Sequence, residues 1–423
     1  MSSAQHRRHK RLYEQILLSR GFSILVGWLL AVLLPFVAFW SWQTLLQPDS
    51  GQLTALIVTT LAYVTSHLCS LRLRATYPGG RSAAFIAPQV LILYGLFALC
   101  TFMLQLPVSR YLLVASGACA TLWLYLEYTL TYKYMSLKLA VVPGGRYTSE
   151  ILAMEDIKVT PLTTLTLDRR YDGVVADFHQ IDDATQRFLT QCALNRTAVY
   201  DARQIYESLS GRVEIHRMSE NNMGSLLPSP IYERLKQIID ILFVIAMSPI
   251  VLTIGLITAL LIKLESPGPA IYTQTRIGQG NKPFTIYKFR SMRFDRDAPE
   301  QFADEDDPRV TRVGRIIRKL RIDELPQFFN ILKGDMSLIG PRPEQPTFVK
   351  QYEEIIPFYS YRHIVKPGIS GWAQVRQGYT ASTDETQIKI QHDFYYIKNC
   401  SLTLDLMITI LTIRIMLTGF GAR

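Results

Sequence analysis

Residues 231–264 limit the possible folds more than any other segment. They hold an apolar run long enough to cross a bilayer, yet Ser248-Pro249 sits at its middle. Pro249 removes a backbone hydrogen bond and clashes with the preceding turn, so the helix is expected to bend there. Basic residues flank both ends, Arg234 and Lys236 before and Lys263 after. A straight spanning helix would leave one basic flank on the far side of the membrane. A bent helix that enters and leaves by the same face keeps both flanks on one side. This re-entrant reading is preferred to an ordinary span, and it places the chain after residue 264 at the cytoplasmic face.

The rest of the chain agrees with a membrane setting. Hydrophobic residues make up 48% and the mean hydropathy is +0.13, high for a purely soluble protein. Four apolar runs, near 22–42, 53–71, 84–106 and 111–131, predict four N-terminal transmembrane helices within a domain of residues 1–136. The first is too long, and too rich in Trp and Phe near its end, for a cleaved signal. His6-Arg7-Arg8-His9-Lys10-Arg11 precedes it, and Arg72, Arg74 and Arg81 follow the second. The connections near Pro48 and Pro107 carry almost no charge, so basic and uncharged loops alternate. That alternation puts both ends of the domain in the cytoplasm, in a multi-pass membrane protein. The formal charge of +10 then suits an anionic lipid surface or phosphorylated substrates, and nucleic acid is not an expected partner. The five cysteines have no CxxC spacing and the seven histidines no paired-ligand pattern. No disulfide framework or structural metal is expected, which leaves only a magnesium ion on carboxylates open.

Residues 137–220 read as a small soluble α/β domain of Rossmann-like type. Strands are expected at 137–143, 172–178 and 197–201, with helices between. Gly144-Gly145 is not GxGxxG, so a structural or regulatory role is preferred to nucleotide binding. Residues 221–230 read as a linker. Residues 265–423 read as a basic, mostly helical domain with short strands at 271–275 and 284–289. It ends in an apolar run, 402–418, expected to lie along the membrane.

Within that domain, residues 307–344 concentrate charge. Val310, Val313, Ile316, Ile317 and Leu320 recur at helical spacing, with Arg312, Arg315, Arg318 and Lys319 on the other side. Asp323 and Glu324 follow, then Pro326, which predicts a helix break beside the carboxylates. A carboxylate beside several arginines is expected to stay ionised, and such a group can attack phosphorus. Lys288, Arg290, Arg318 and Arg342 are candidate cations for the developing charge.

From residue 235 onward the chain resembles the bacterial sugar transferases, the monotopic phosphoglycosyl transferases. The matching motifs are ESPGPAIYTQTRIG, YKFRSM, DPRVTRVGRIIRKLRIDELPQFFNILKGDMSLIGPRPE, KPGISGWAQV and DFYYIKN. The N-terminal spans and the degenerate α/β domain resemble the large-subtype members that initiate exopolysaccharide, capsule or O-antigen synthesis. The resemblance implies transfer of a hexose 1-phosphate from a UDP-sugar to undecaprenyl phosphate. Asp323 would attack the β-phosphorus, release UMP and carry the sugar phosphate covalently. Glu324 would hold magnesium, and Arg318 would meet the polyprenyl phosphate. Lys288, Arg290, Arg342 and Asp393 would bind substrate, and Ser248-Pro249 matches the family's membrane-helix break. Glucose is the first expectation for the sugar and galactose the second, and a homodimer is expected. Gln377-Gly378-Tyr379-Thr380 departs from the Asn-Gly pair of many glucosyl members, which bears on the sugar more than on the reaction.

Plainer roles stand beside these. Arg318 and Arg321 can serve lipid headgroups alone, Arg342 can pair with Glu344, and Asp393 can be a helix-surface charge. His363 and His392 read as structural. Two other functions also fit the residues: a non-enzymatic membrane scaffold or regulator of polysaccharide assembly, and a polytopic transferase without a covalent intermediate.

Overall fold

The computed structural model describes residues 19–76, 83–134, 138–154, 159–169, 171–214, 227–293, 309–377 and 383–418. The basic residues 6–11, Arg81, most of the 221–230 linker and residues 378–380 lie outside them. The chain divides into two compact units, Met1–Gly211 and Arg212–Arg423.

The first unit opens with four helices: α1 (Arg20–Trp40), α2 (Ser50–Thr76), α3 (Ile86–Met103) and α4 (Arg110–Tyr134). α1 contains one π-helical turn, Leu29–Leu33. Small residues let the helices approach closely. Ala31, Ala62 and Ala120 are fully buried, and a Cβ on Gly27 would overlap the rings of Tyr63 and Trp123. Among the described residues, four helices are long and apolar enough to cross a membrane: Arg20–Trp40, Ser50–Arg74, Ala83–Met103 and Pro230–Glu265. α4 packs on α2 and α3 but is not among them. Its second half carries Tyr125, Glu127 and Tyr128, and Glu127 accepts a 2.8 Å hydrogen bond from Ser23 Oγ.

A four-stranded, wholly parallel sheet follows. Its strands are β1 (Leu139–Val141), β2 (Val159–Pro161), β3 (Gly173–Ala176) and β4 (Ala198–Asp201), in the order β2-β1-β3-β4. Helices α5 (Arg146–Leu152), α6 (Asp183–Leu194) and α7 (Ala202–Ser210) cover it. α6 buries Leu189 and Cys192 in one cluster, and α5 and α7 bury Ile151, Ala202 and Tyr206 in another. β1, β3 and β4 fall on the expected strands. β2 was not expected, because three residues ending in a proline give no periodic signal.

The second unit begins with α8 (Pro230–Glu265), which keeps Pro249 in its interior. Pro249 has no N–H to offer the Ile245 carbonyl four residues back. Ser248 Oγ donates to that carbonyl instead, at 2.7 Å, and Thr253 Oγ1 donates to the Pro249 carbonyl at 2.8 Å. The Ser-Pro pair thus carries both the missing hydrogen bond and its replacement, within one continuous helix. Around it, Ile250, Leu252, Leu256 and Leu260 are exposed.

The hairpin β5 (Ile271–Ile277) and β6 (Pro283–Phe289) is antiparallel. Val244 clusters with Ile286, whereas Ile262 clusters with Phe289. In a straight helix Val244 and Ile262 would stand about 27 Å apart. Ile286 and Phe289 are about 10 Å apart along a strand. Both arms of α8 therefore pack on one hairpin.

The remaining elements are α9 (Arg312–Lys319), a 3₁₀ segment (Ile322–Gln327), α10 (Phe328–Lys333) and β7 (Ser337–Ile339). After them come α11 (Pro346–Ile355), β8 (Gly368–Ser370, parallel to β7), α12 (Trp372–Arg376), α13 (Thr383–Lys398) and α14 (Leu402–Thr418). α14 buries Leu404, Met407 and Ile408 within the protein. Its Asp405 accepts from Tyr232 (2.7 Å), Lys236 (3.0 Å) and Tyr396 (2.8 Å), which ties the start of α8 to α13 and α14.

Candidate active site

The site is built where α8, α9 and β6 meet. Thr311 Oγ1 caps α9 by accepting from the Gly314 amide at 2.9 Å. Glu265, the last residue of α8, accepts from the Arg312 and Val313 amides at 2.7 and 2.9 Å. α9 is thereby locked to the end of the membrane helix. Ile317 packs inward on Phe289 and Ile262. Ile316 and Leu320 differ from the expected single apolar face: they are 60% and 49% exposed, beside Arg312, Arg315 and Lys319.

The expected break is present, but it falls earlier than Pro326. Arg321 adopts the left-handed conformation (φ 57°), and the 3₁₀ turns of Ile322–Gln327 begin after it. Pro326 sits inside that segment. The reversal at Arg321 directs Asp323 and Glu324 toward β6.

Glu324 is 5% exposed and meets three cations at one oxygen. Its Oε1 lies 3.4 Å from Lys288 Nζ, 3.2 Å from each terminal nitrogen of Arg342 and 3.7 Å from Arg321 Nη1. Burial opposes its charge, but Arg342, Lys288 and Arg321 outweigh burial and hold the carboxyl down at about 2.

Asp323 is in the opposite position. Its Oδ1 is buried with no hydrogen-bond partner. Burial, and then the charge on Glu324, push its carboxyl up to about 6 against the pull of Lys288, Arg321 and Arg342. The three cations engage Glu324, and Asp323 lies half-buried beside it; at about 6 its carboxyl still ionises at neutral pH, though less readily than an ordinary aspartate. A buried carboxylate oxygen without a donor calls for a ligand or reacting partner. Neighbouring carboxyls pushed apart in this way suit two different roles.

The other expected site residues separate into groups. Lys288 and Arg342 join the Glu324 cluster. Arg342 pairs with Glu324 and not with Glu344, which is held by Lys389 at 2.7 Å and Arg276 at 3.8 Å. Arg318 is anchored through Nε on Ser291 Oγ, at 2.8 Å. Arg290 is buried and donates to the Pro267 carbonyl (2.5 Å) and to the carbonyl and hydroxyl of Ser266 (2.8 and 3.0 Å). It staples the turn after α8 instead of joining the carboxylates. Asp393 is 1% exposed and accepts from Arg362 Nη2 at 2.9 Å, so it is neither a surface charge nor open to the cluster. His363 bonds Asn281, and burial followed by Arg362 pushes its imidazole down to about 3. That fits the structural role expected for it.

Sequence reasoning missed Arg362. Its one signal is its place just ahead of the punctuated segment KPGISGW.

Magnesium can be tested against these residues. Asp323 and Glu324 supply hard oxygen donors, one of them lacking a partner, as magnesium prefers. Among the described residues they belong to no group of three such ligands; the one group of that kind is Asp177, His179 and Asp201 in the first unit. Lys288, Arg321 and Arg342 would repel a bare cation. The site therefore fits the ion together with substrate phosphate.

A family model described as bacterial sugar transferase matches residues 231–419. A protein of Aeromonas hydrophila, UDP-N-acetylgalactosamine-undecaprenyl-phosphate N-acetylgalactosaminephosphotransferase, is 49% identical over 421 residues, 99% of each chain. The chain belongs to the bacterial sugar transferase family. Two proteins named UDP-glucose:undecaprenyl-phosphate glucose-1-phosphate transferase match less of it. That of Escherichia coli (strain K12) is 42% identical over 175 residues, 41% of this chain and 37% of its own. That of Caulobacter vibrioides is 42% identical over 202 residues, 47% of this chain and 76% of its own.

Proposed function

We propose that this protein transfers a sugar 1-phosphate from a UDP-sugar to undecaprenyl phosphate at the cytoplasmic face of the inner membrane. The observation that carries this reading is the unpartnered Oδ1 of Asp323 beside a carboxylate ringed by Lys288, Arg321 and Arg342. A scaffold has no use for a buried orphan carboxylate among cations. In the first half-reaction Asp323 Oδ1 attacks the β-phosphorus, the bond from that phosphorus to the bridging oxygen breaks, and UMP leaves with the oxygen. In the second, an oxygen of undecaprenyl phosphate attacks the same phosphorus and releases Asp323. Lys288 and Arg342 stabilise charge on the phosphoryl oxygens, and Arg318 receives the lipid phosphate. Glu324 would hold a magnesium ion together with the substrate diphosphate, and such an ion would supply positive charge to the phosphate oxygens.

The re-entrant course of α8 belongs to this reading. Its support is the interior proline, whose missing hydrogen bond Ser248 replaces, and the packing of residues from both halves of the helix near one hairpin. Such a helix dips into one leaflet and returns, which holds the site at the interface where lipid phosphate and soluble nucleotide meet. Ile316 and Leu320, among the basic side chains of α9, suit the same interface. The parallel sheet of residues 138–211 is assigned a Rossmann-like, regulatory role, and a homodimer is the proposed assembly.

For the sugar, N-acetylgalactosamine moves ahead of glucose and galactose. The relative named for it matches the whole chain, whereas the two glucose relatives match less than half. A panel of UDP-sugars with undecaprenyl phosphate and magnesium tests the proposal. Polyprenyl diphosphate sugar should form fastest with UDP-N-acetylgalactosamine. Failure of every UDP-sugar would defeat it.

A further inference from the structure

Arg342 binds Glu324 with both terminal nitrogens, yet its own backbone belongs to the loop that follows β7. That loop is held from behind by a buried ion pair. Arg362 Nη2 donates to the Arg342 carbonyl at 2.8 Å and to Asp393 Oδ2 at 2.9 Å. Arg362 Nη1 donates to Tyr359 Oη at 2.7 Å, and the guanidinium lies 5.2 Å from the centre of that ring. Arg362 is 2% exposed and Asp393 is 1% exposed. Ion pairs buried this deeply add little net stability, but losing one partner strands a charge. The planar fork of Arg362 reaches a carbonyl, a carboxylate and a hydroxyl at once, which an ammonium cannot do in the same geometry.

We propose that Asp393 and Arg362 are positioning residues that aim the Arg342 guanidinium at Glu324, and that Asp393 acts only through Arg362 and touches no substrate. The proposal rests on the transferase reading for its consequence and on geometry for its mechanism. Asp393 orients Arg362, Arg362 holds the Arg342 carbonyl, and Arg342 fixes the carboxylate next to Asp323. A loop held less firmly still binds nucleotide but presents Arg342 less well to the reacting phosphate.

Two measurements on the full-length protein test this, with Asp393→Asn and Arg362→Lys as the variants. The first is hydrogen exchange across residues 337–346, which needs no turnover. Faster exchange should be confined to that segment, with the first unit and α9 unchanged. The second is a mutant cycle on UMP release. Each variant should lower kcat by roughly 10- to 100-fold, the loss expected for a misplacement near 1 Å, with KM for the UDP-sugar changed little. Combining Asp393→Asn with Arg342→Met should be no slower than Arg342→Met alone, because both changes act on one guanidinium. Multiplicative losses, or a raised KM with kcat intact, would mean that Asp393 contacts substrate and would overturn the proposal. Unchanged exchange at 337–346 would overturn it as well. If Asp393→Asn does not fold, Arg362→Lys, which keeps the charge pair, carries both tests. An inactive wild-type protein would count against the transferase reading alone, and the exchange result would still decide this one.

Discussion

At the scale of single residues, the site depends on two adjacent carboxyls that differ in their partners. Arg342 supplies two of the contacts on Glu324, so Arg342→Met should reduce turnover by about 10²- to 10³-fold, measured as product formation at saturating UDP-sugar. His363 gives a separate prediction for stability. Its folded value is depressed to about 3 from an ordinary 6.5, so its contribution is fully present above about 6.5 and is lost as pH falls toward 3. Unfolding midpoints in detergent should drop between pH 7 and pH 4, and His363→Gln should lose less over that range. Much of this chemistry was legible in the chain. Asp323, Glu324, Lys288 and Arg342 stand in motifs, and the structure brings them together. The pairing of Arg362 with Asp393 was not legible, because contacts between distant segments leave no local pattern. Nor was the lift on Asp323, since burial has no sequence signature.

At the scale of elements, α8 is the apolar helix that the sequence announces most plainly. A proline in the middle of the apolar run removes one helical hydrogen bond, and the preceding serine takes up the carbonyl that it orphans, so the helix runs on from Pro230 to Glu265. On the re-entrant reading that carbonyl faces lipid, so Ser248→Ala should cost about 1–3 kcal/mol, the penalty for leaving it unsatisfied there, read as a lower unfolding midpoint in lipid nanodiscs. Pro249→Leu should straighten the helix and carry residues beyond 264 to the periplasm. A C-terminal reporter that stayed cytoplasmic in that variant would count against the role given to Pro249. The α9 break was harder to read. Pro326 drew the expectation, but the chain turns at Arg321, a non-glycine residue in a left-handed conformation that nothing in its own residue type announces. β2 escaped for a similar reason, being three residues held by pairing with β1.

At the scale of the whole molecule, the residues proposed for catalysis all fall in the second unit, Arg212–Arg423. The Caulobacter vibrioides relative has 76% of its length matched by 47% of this chain. Residues 212–423 alone should therefore release UMP from a UDP-sugar in detergent, at a rate within about tenfold of the full chain, with the first unit affecting regulation or assembly. The covalent step is the central claim, and the most direct measurement of it omits the lipid. The full-length protein is mixed with UDP-N-acetylgalactosamine and magnesium, and UMP is followed in time. A burst of about one UMP per chain, absent in Asp323→Asn, is the predicted result. No UMP until undecaprenyl phosphate is added would contradict it.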